Sequence, residues 1–512
     1  MALIKCAKCG KKVSDKATRC SSCGAKIGKA KVSKVEEVKT EIVEEIKKVS
    51  KPKKSYNLLC AIGIAYLVAV VLSWFITTGT YSAGTFTDAG KLPVGIINLF
   101  RLPVMTFQAF IQYTLVIVAI GIFYGVLNKT GVYTRLVDKV ASSWKGKEKI
   151  LLVIVTICFA LIGGFTGLSM LAFLLTPFIA GILIKAGYNK MSALLSTIGA
   201  LLVGETASVF GFTGAGYVGV LFSVSMTEQI ITKLVLFILL VGLYVYFIIK
   251  KSKKGNDEIP FYDDEVKSKK SILPLSILGI LFLVLCFVGM YDWYYGWNVE
   301  FFVNLHEKIM AISIGSYPIM SNLLSGATAL GYWGNYELAI ALAIFTVIIA
   351  WIYGVKAKEL LDGVVKGAKE ILPVAIYATL ANVVFTIMIA NQTNMFGAIV
   401  NLFASIKSTF SLPIIISSSL VGSLFFNDFY YLLSSTASLY TTYDAIYYPI
   451  VGVVSTAIHG LMMMVLPTSI ALVAGLKLFD VKYTEWFKKI WLYLVEALVV
   501  IILVAIIVAI KL

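Results

Sequence analysis

Runs of about twenty consecutive apolar residues constrain this chain more than any other feature of it. A helix crossing the hydrocarbon core of a bilayer needs roughly 20 such residues, and residues 58–76, 234–249 and 491–510 are three of many runs of that order. Hydrophobic residues make up 59% of the 512 and charged residues only 14%, which excludes an ordinary soluble domain. No cleavable signal peptide is expected, because a polar segment of more than fifty residues precedes the first long apolar run. The fold class expected is an all-α polytopic membrane protein.

The net charge of +17 is unevenly spread. Residues 1–56 carry sixteen Lys or Arg against six Asp or Glu, a net +10 ahead of the first span. Beside a span, such an excess marks the cytoplasmic side and an affinity for anionic headgroups of the lipid bilayer. No nucleic-acid partner is expected.

Four of the seven cysteines fall as Cys6-x2-Cys9 and Cys20-x2-Cys23, with Gly10 and Gly24 directly after each pair. Four thiolates from two matched turns suit tetrahedral Zn²⁺, and a closed four-ligand site is structural. The alternative is two disulfides or four idle thiols. The stretch resembles the short zinc ribbons at the ends of many microbial proteins. Thiolate ligands need a reducing compartment, so the N-terminus is expected in the cytoplasm. Residues 1–28 are read as the ribbon, which can serve a cytoplasmic protein partner. Residues 29–56 are read as a basic cytoplasmic linker or amphipathic helix, ended by Pro52. Cys60, Cys158 and Cys286 lie in apolar runs and are expected in the core.

From a cytoplasmic N-terminus, spans are expected at 57–76 and about 104–127, separated by a poorly charged loop, 77–103. The following segment, 129–149, holds six basic residues. The apolar stretch 150–186 is interrupted by Gly163, Gly164 and Gly167, and its far end is again basic at Lys185 and Lys190, so it reads as a re-entrant hairpin. Spans follow at 191–222 and 229–249, then a Lys-rich loop read as a solvated connector, then spans at 272–291, 338–355 and 371–390. A second hairpin, 411–442, enters from outside, and spans at 445–475 and 490–510 finish the chain. Residues 293–337, rich in Trp and Tyr, read as interfacial anchoring helices. This layout puts 39 of the 45 basic residues inside, as expected of a multi-pass protein of a prokaryotic plasma membrane.

The two halves carry matching segments in the same order. Asn128-Lys-Thr-Gly-Val-Tyr133 resembles Asn391-Gln-Thr-Asn-Met-Phe396, and Leu136-Val-Asp138 resembles Ile399-Val-Asn401. The broken stretch Gly163–Thr176 aligns with Gly422–Ser435, and Gly211-Phe-Thr213 with Leu466-Pro-Thr468. The basic 129–149 belongs inside, whereas its counterpart 391–410, with only Lys407, belongs outside. Two inverted repeats, each with a re-entrant hairpin and a broken helix, point to a secondary transporter with its site near the midplane. The expected division is 57–250 for the first repeat and 251–270 for a cytoplasmic loop. A connecting span and extracellular interfacial segment take 271–337, and the second repeat takes 338–512.

Gly-Val-Leu-Asn-Lys-Thr-Gly-Val (125–132), Gly187-Tyr188-Asn189 and Leu-Pro-Thr-Ser (466–469), followed by Val481-Lys-Tyr-Thr-Glu-Trp486, resemble the ion-transporter superfamily. The branch is that of anaerobic C4-dicarboxylate carriers and arginine/ornithine-antiporter-like proteins. The resemblance covers about residues 57–512. It implies a scaffold domain, a mobile transport domain, a homodimer and elevator-type movement. Related carriers often have acidic residues in the first hairpin, where this chain has Gly163-Gly-Phe-Thr-Gly-Leu-Ser169 and no carboxylate.

Four helix breaks are expected to converge: Gly163–Ser169, Gly422–Asp428, Gly211–Gly216 and Pro467–Ser469. Breaks at membrane depth persist where the freed N–H and C=O groups bind ions, water or substrate. Thr166, Ser169, Thr213, Asn427, Thr468 and Ser469 supply hydroxyls and an amide there, and the alternative is that Gly and Ser only permit close packing. Glu205 and His459 lie deep in broken spans and are pseudo-equivalent to within one position, so they are candidates for ion coupling or substrate contact. The alternative is a Glu205–His459 hydrogen bond joining two helices. Asp428 is a third ionisable candidate, and Glu496 has no evident partner.

The function expected is secondary active transport of a small polar metabolite, an amino acid or carboxylate, with Na⁺ or H⁺ as the coupling ion or by exchange. A membrane-anchored sensor or scaffold with a zinc-ribbon module, and a sodium/proton antiporter, are the alternatives. No nucleophile–base set or cofactor motif marks an enzyme.

Overall fold

The computed structural model describes residues 3–6, 8–14, 17–26, 57–263, 268–390, 395–406 and 409–511. It divides into two compact units, Met1–Ser55 and Tyr56–Leu512. The linker expected at 29–56, Pro52 included, lies outside the described residues, as do residues 391–394 of the repeat comparison and Lys407.

The first unit is built from two like turns. Strands β1 (Leu3–Lys5) and β2 (Lys12–Ser14) pair antiparallel, Ile4 opposite Val13. Between them the Gly10 N–H donates to the Cys6 carbonyl at 2.8 Å, and in the second turn the Gly24 N–H donates to the Cys20 carbonyl at 2.9 Å. Both glycines are left-handed, φ +72° and +70°, which is why glycine follows each cysteine pair. The turns bring Cys6 Sγ to 3.7 Å from Cys23 Sγ and Cys9 Sγ to 3.6 Å from Cys20 Sγ, with all four sulfurs within 4.8 Å. Sulfurs held about 2.3 Å from a tetrahedral metal stand roughly 3.8 Å apart, so the donor set fits Zn²⁺. The cysteines are free thiols rather than disulfides.

The second unit is helical. After α1 (Asn57–Phe75) come strands β3 (Thr78–Ser82) and β4 (Thr85–Gly90), then α2 (Ile96–Ala109), α3 (Ile111–Lys129) and α4 (Tyr133–Ser143). Helices α5 (Glu148–Thr166) and α6 (Ser169–Lys185) make the first hairpin. Lys190–Leu194, a π turn at Leu195–Gly199 and Ala200–Thr206 run on as α7; after a break, the π turn Phe212–Gly216 and Tyr217–Phe222 make α8. Next are α9 (Ile230–Lys251), α10 (Leu273–Met290) and the short α11 (Trp293–Trp297), α12 (Phe301–Met310) and α13 (Ile319–Leu323). Then α14 (Asn335–Ile352), α15 (Ala357–Leu380), α16 (Val383–Ala390) and α17 (Met395–Ile406) precede the second hairpin, α18 (Leu412–Phe425) and α19 (Phe429–Tyr440). Helix α20 (Tyr448–Met463) breaks before α21 (Ile470–Leu478), and α22 (Tyr483–Lys511) closes the unit. Among the described residues, eight helices are long and apolar enough to cross a membrane, or nine if α15 and α16, bent by 41°, count as one span.

Several boundaries differ from the sequence expectation for identifiable reasons. The loop 77–103 holds a β-hairpin: Thr, Tyr and Phe flank Ala83-Gly84, both at positive φ, which suits a tight hairpin turn. It packs on α17, where a Cβ at Gly397 would stand 2.0 Å from the Gly79 carbonyl oxygen. The span expected at 104–127 is two helices parted at Phe110, and the first arm of the first hairpin is itself 19 residues long. Cys60 and Cys158 are exposed on their helices, since an apolar run in a membrane protein faces lipid as readily as core; only Cys286 is buried. The Lys-rich loop is not a solvated connector throughout. Gly255 N–H donates to the Gly187 carbonyl at 3.0 Å, Asn128 Nδ2 to the Phe261 carbonyl at 2.9 Å, and Phe261 N–H to Glu370 at 3.1 Å. These bonds tie the loop to the α6–α7 turn at one end and to α3 and α15 at the other.

Close helix contact rests on paired glycines. Gly121 and Gly125 of α3 face Gly363 and Gly367 of α15; a Cβ at Gly367 would lie 2.1 Å from the Gly121 carbonyl oxygen, and one at Gly125 would lie 2.3 Å from that of Gly363. Without a hydrophobic drive between helices in lipid, such van der Waals contact and hydroxyl pairs such as Thr114–Thr379, 2.6 Å apart, hold the pair. Gly367→Val is expected to force α3 and α15 apart and to destabilise the unit by about 1–3 kcal/mol, read as a lower thermal midpoint in detergent; an unchanged midpoint would mean the contact is not needed. For the first unit, metal analysis of purified protein is expected to give one zinc per chain, and Cys20→Ser to lose it.

Candidate binding site at the helix breaks

Where a helix stops inside an apolar unit, its carbonyl and N–H groups need other partners, and those partners locate the site. Helix α5 runs through Gly163 and Gly164 and ends at Thr166, so the first break is narrower than the sequence expectation, only Gly167 and Leu168. The Gly164 carbonyl accepts the Val209 N–H at 2.7 Å, which ties the first hairpin to the break between α7 and α8. Gly163 and Gly164 do the packing: a Cβ on Gly163 would stand 2.2 Å from the Leu201 carbonyl oxygen. Gly167 is left-handed at φ +69°, and a Cβ there would meet Thr213 Oγ1 at 2.5 Å.

The second hairpin is likewise tied to a break. Helix α18 ends at Phe425, and Phe426, Asn427 and Asp428 form the turn. Asn427 Nδ2 donates to the Thr468 carbonyl at 2.8 Å and to Asn382 Oδ1 at 2.9 Å, joining the hairpin tip to the break before α21 and to the kink between α15 and α16. In that break, Trp486 Nε1 donates to the Met464 carbonyl at 2.9 Å and Tyr483 OH to the Val465 carbonyl at 2.5 Å.

All four breaks line one cavity of about 530 Å³. Of the residues singled out in the sequence, Ser169, Glu205, Thr213, Asn427, Asp428, His459 and Ser469 line it. Thr166 and Thr468 do not. Thr166 folds its hydroxyl back to the Ile162 carbonyl at 2.6 Å and accepts the Leu168 N–H, so it shapes the turn. Thr468 contributes its carbonyl to Asn427 while its own hydroxyl is buried without a hydrogen-bond partner among the described residues. Asp428 caps α19 by accepting the Tyr431 N–H at 3.3 Å, and Ser469 caps α21 through the Leu472 N–H at 3.4 Å. Helix α6 has no side-chain cap, and its first residues, Ser169 and Met170, face the cavity. The Ser169 N–H is taken by the Gly167 carbonyl at 3.0 Å, and the terminus of α6 still favours negative charge through the donors after it and the helix dipole.

The alternative of a Glu205–His459 hydrogen bond is not what the structure shows. Glu205 instead accepts from Ser169 Oγ at 2.5 Å, and His459 Nδ1 lies 3.1 Å from Ser423 Oγ. Each ionisable residue of a broken helix therefore binds a serine on its own hairpin, and in both pairs the partners are 36 residues apart. Glu496, on the outward side of α22, is exposed.

Sequence reasoning missed, of the lining, Gln112 and Tyr113 on a stretch that read as a plain apolar span, and Ser208, Tyr217 and Thr456 on the spans that read as broken. It also read 293–337 as interfacial only, yet Trp333 reaches the cavity wall. Among the described residues, neither Lys nor Arg lines the cavity. Its chemistry is hydroxyls, amides, helix termini, two carboxylates and an imidazole, suited to holding a small polar molecule with cations and unsuited to covalent catalysis.

A zinc-ribbon domain matches residues 5–27. Among solved structures, the YdaH transporter of Alcanivorax borkumensis is similar at 12% identity and a TM-score of 0.39, over 90% of this chain and 99% of that one. No curated protein matches. The family described as the C4-dicarboxylate anaerobic carrier matches residues 53–510, nearly the whole helical unit and its approach. The chain belongs to this family of C4-dicarboxylate anaerobic carriers, and is thus a multi-pass membrane transporter, not an enzyme, with a zinc ribbon at its N-terminus.

Proposed function

We propose that the protein is a secondary active transporter of a small carboxylate-bearing metabolite, a C4-dicarboxylate or an amino acid, driven by Na⁺ or H⁺ or by exchange. The observation that carries this is the convergence of four helix breaks on one cavity of about 530 Å³. A carboxylate is seated at the uncapped N-terminus of α6, beside the Ser169 hydroxyl, where N–H donors and the helix dipole favour it. Glu205 and Asp428 share the cavity with no Lys or Arg in its wall, so an anion entering there needs compensating cations. That need supports coupling: Na⁺ or H⁺ binds with an anionic substrate, or the substrate brings its own ammonium. Glu205, held by Ser169, is the coupling carboxylate, and His459, held by Ser423, is its counterpart.

A hairpin and a broken helix in each half support an inverted repeat, with elevator-type movement of the hairpins and broken helices against a scaffold that includes α3 and α15. In the cell the carrier is a homodimer in a prokaryotic plasma membrane with its N-terminus cytoplasmic. The exposed basic residues of the ribbon and the basic segment 129–149 support that orientation.

Uptake of labelled succinate, aspartate and arginine into proteoliposomes, under separately imposed Na⁺ and H⁺ gradients, tests the proposal. Accumulation of one of them against its own gradient is expected, and flux that never concentrates any of them would overturn coupled transport. Glu205→Gln is expected to cut gradient-driven accumulation at least tenfold while counterflow of preloaded substrate persists. If both the rate and the ion dependence stay as in the wild type, Glu205 is not the coupling group.

A further inference from the structure

Lys233 is the one buried Lys or Arg among the described residues, 8% exposed in the second turn of α9. A buried ammonium in a membrane helix is costly unless its charge is used. Its one direct partner is modest: Nζ donates to the Met226 carbonyl at 2.9 Å. The rest of its surroundings is a narrow cleft of about 10 Å³, lined by Ser208, Ala215, Val218, Pro449, Gly452 and Thr456, with Ser225 and Glu228 at its rim. Ser208 and Thr456 are also wall residues of the main cavity. Two hydroxyl side chains thus have the binding cavity on one side and the cleft of Lys233 on the other.

We infer that Lys233 is a specificity-determining positioning residue: from behind Ser208 and Thr456 it supplies the fixed positive field that the cavity wall lacks, favouring substrates with a second negative charge. The inference deepens the proposed carrier function and rests on it. The geometry suits a long-range role. The cleft has room for about one water, so the ammonium does not enter the cavity, but the low-polarity surroundings screen its charge less than water would. Ser208 hydrogen bonds only weakly, at 3.3 Å to the Gly211 carbonyl and 3.5 Å from the Ala215 N–H, so its hydroxyl is available to turn toward a bound anion. Glu228, exposed at the rim, is the opposing charge: it draws on the same ammonium without forming an ion pair within 4 Å. Removing Glu228 therefore strengthens the field at the cavity, and removing Lys233 abolishes it.

The test uses full-length protein in proteoliposomes, with succinate as the dianion and its monoamide as the singly charged probe of the same shape. Lys233→Met is expected to raise the succinate KM about tenfold with little change in maximal rate, and to leave the monoamide KM within about twofold. Lys233→Arg is expected to restore the wild-type succinate KM, and Glu228→Gln to lower it. Lys233 as a mere helix anchor would move both substrates in parallel or lower the thermal midpoint without a change in their ratio; either result overturns the inference. Should Lys233→Met fail to fold, Glu228→Gln still decides, since an unchanged ratio of the two KM values overturns it. Wild-type vesicles that take up neither anion overturn the carrier function and this inference together, whereas wild-type uptake with an unchanged Lys233→Met profile overturns this inference alone.

Discussion

Hydrocarbon offers no hydrogen bonds, so each backbone group freed by a helix break inside the bilayer must find a partner within the protein. That constraint organises this molecule. The Gly164 carbonyl takes the N–H of Val209, Thr468 gives its carbonyl to Asn427, and Trp486 and Tyr483 reach back to Met464 and Val465. The first two bonds join one broken segment to another, and the last two tie the break before α21 to the closing helix α22. The breaks consequently converge, and the groups left over at their meeting point line the cavity.

Close packing makes those bonds possible. Gly163 and Gly204 let α5 and α7 approach until a Cβ at either would meet a carbonyl oxygen at 2.2 or 2.0 Å, and Gly460 lets α20 rest on Thr206. Polar side chains then occupy positions where their alternatives are few. Glu205 is held by Ser169 and His459 by Ser423, so neither depends on the other, and each can change its partner without breaking a bond between the two halves.

Much of this was legible in the sequence because membrane depth penalises ambiguity. Glu205 and His459 stand out since an ionisable residue in an apolar run demands a reason, and the four cysteines stand out because their spacing and following glycines leave little else to build. Gly163 and Gly164 misled in detail: glycine permits both a break and a close approach, and here they sit one turn inside the helix. Thr166 and Thr468 read as ligand hydroxyls, but a hydroxyl beside a break is equally suited to closing the turn. The cavity wall from Gln112 and Tyr113 was hidden, since which side of an apolar helix faces a cavity depends on partners distant in sequence, and so was Trp333, in the loop before α14. The β-hairpin was overlooked although Thr78–Gly90 carries its signal, alternating β-formers around Ala83-Gly84.

The most direct measurement is amide hydrogen exchange of the full-length protein in nanodiscs, with and without succinate, under saturating Na⁺ and then under acidic conditions without Na⁺. If the four breaks form one site, succinate slows exchange together at residues 166–171, 206–214, 425–430 and 464–471 and leaves α1 unchanged. Protection confined to one hairpin, or located at the connector near Phe261 while transport persists, would place the substrate elsewhere and contradict a shared site.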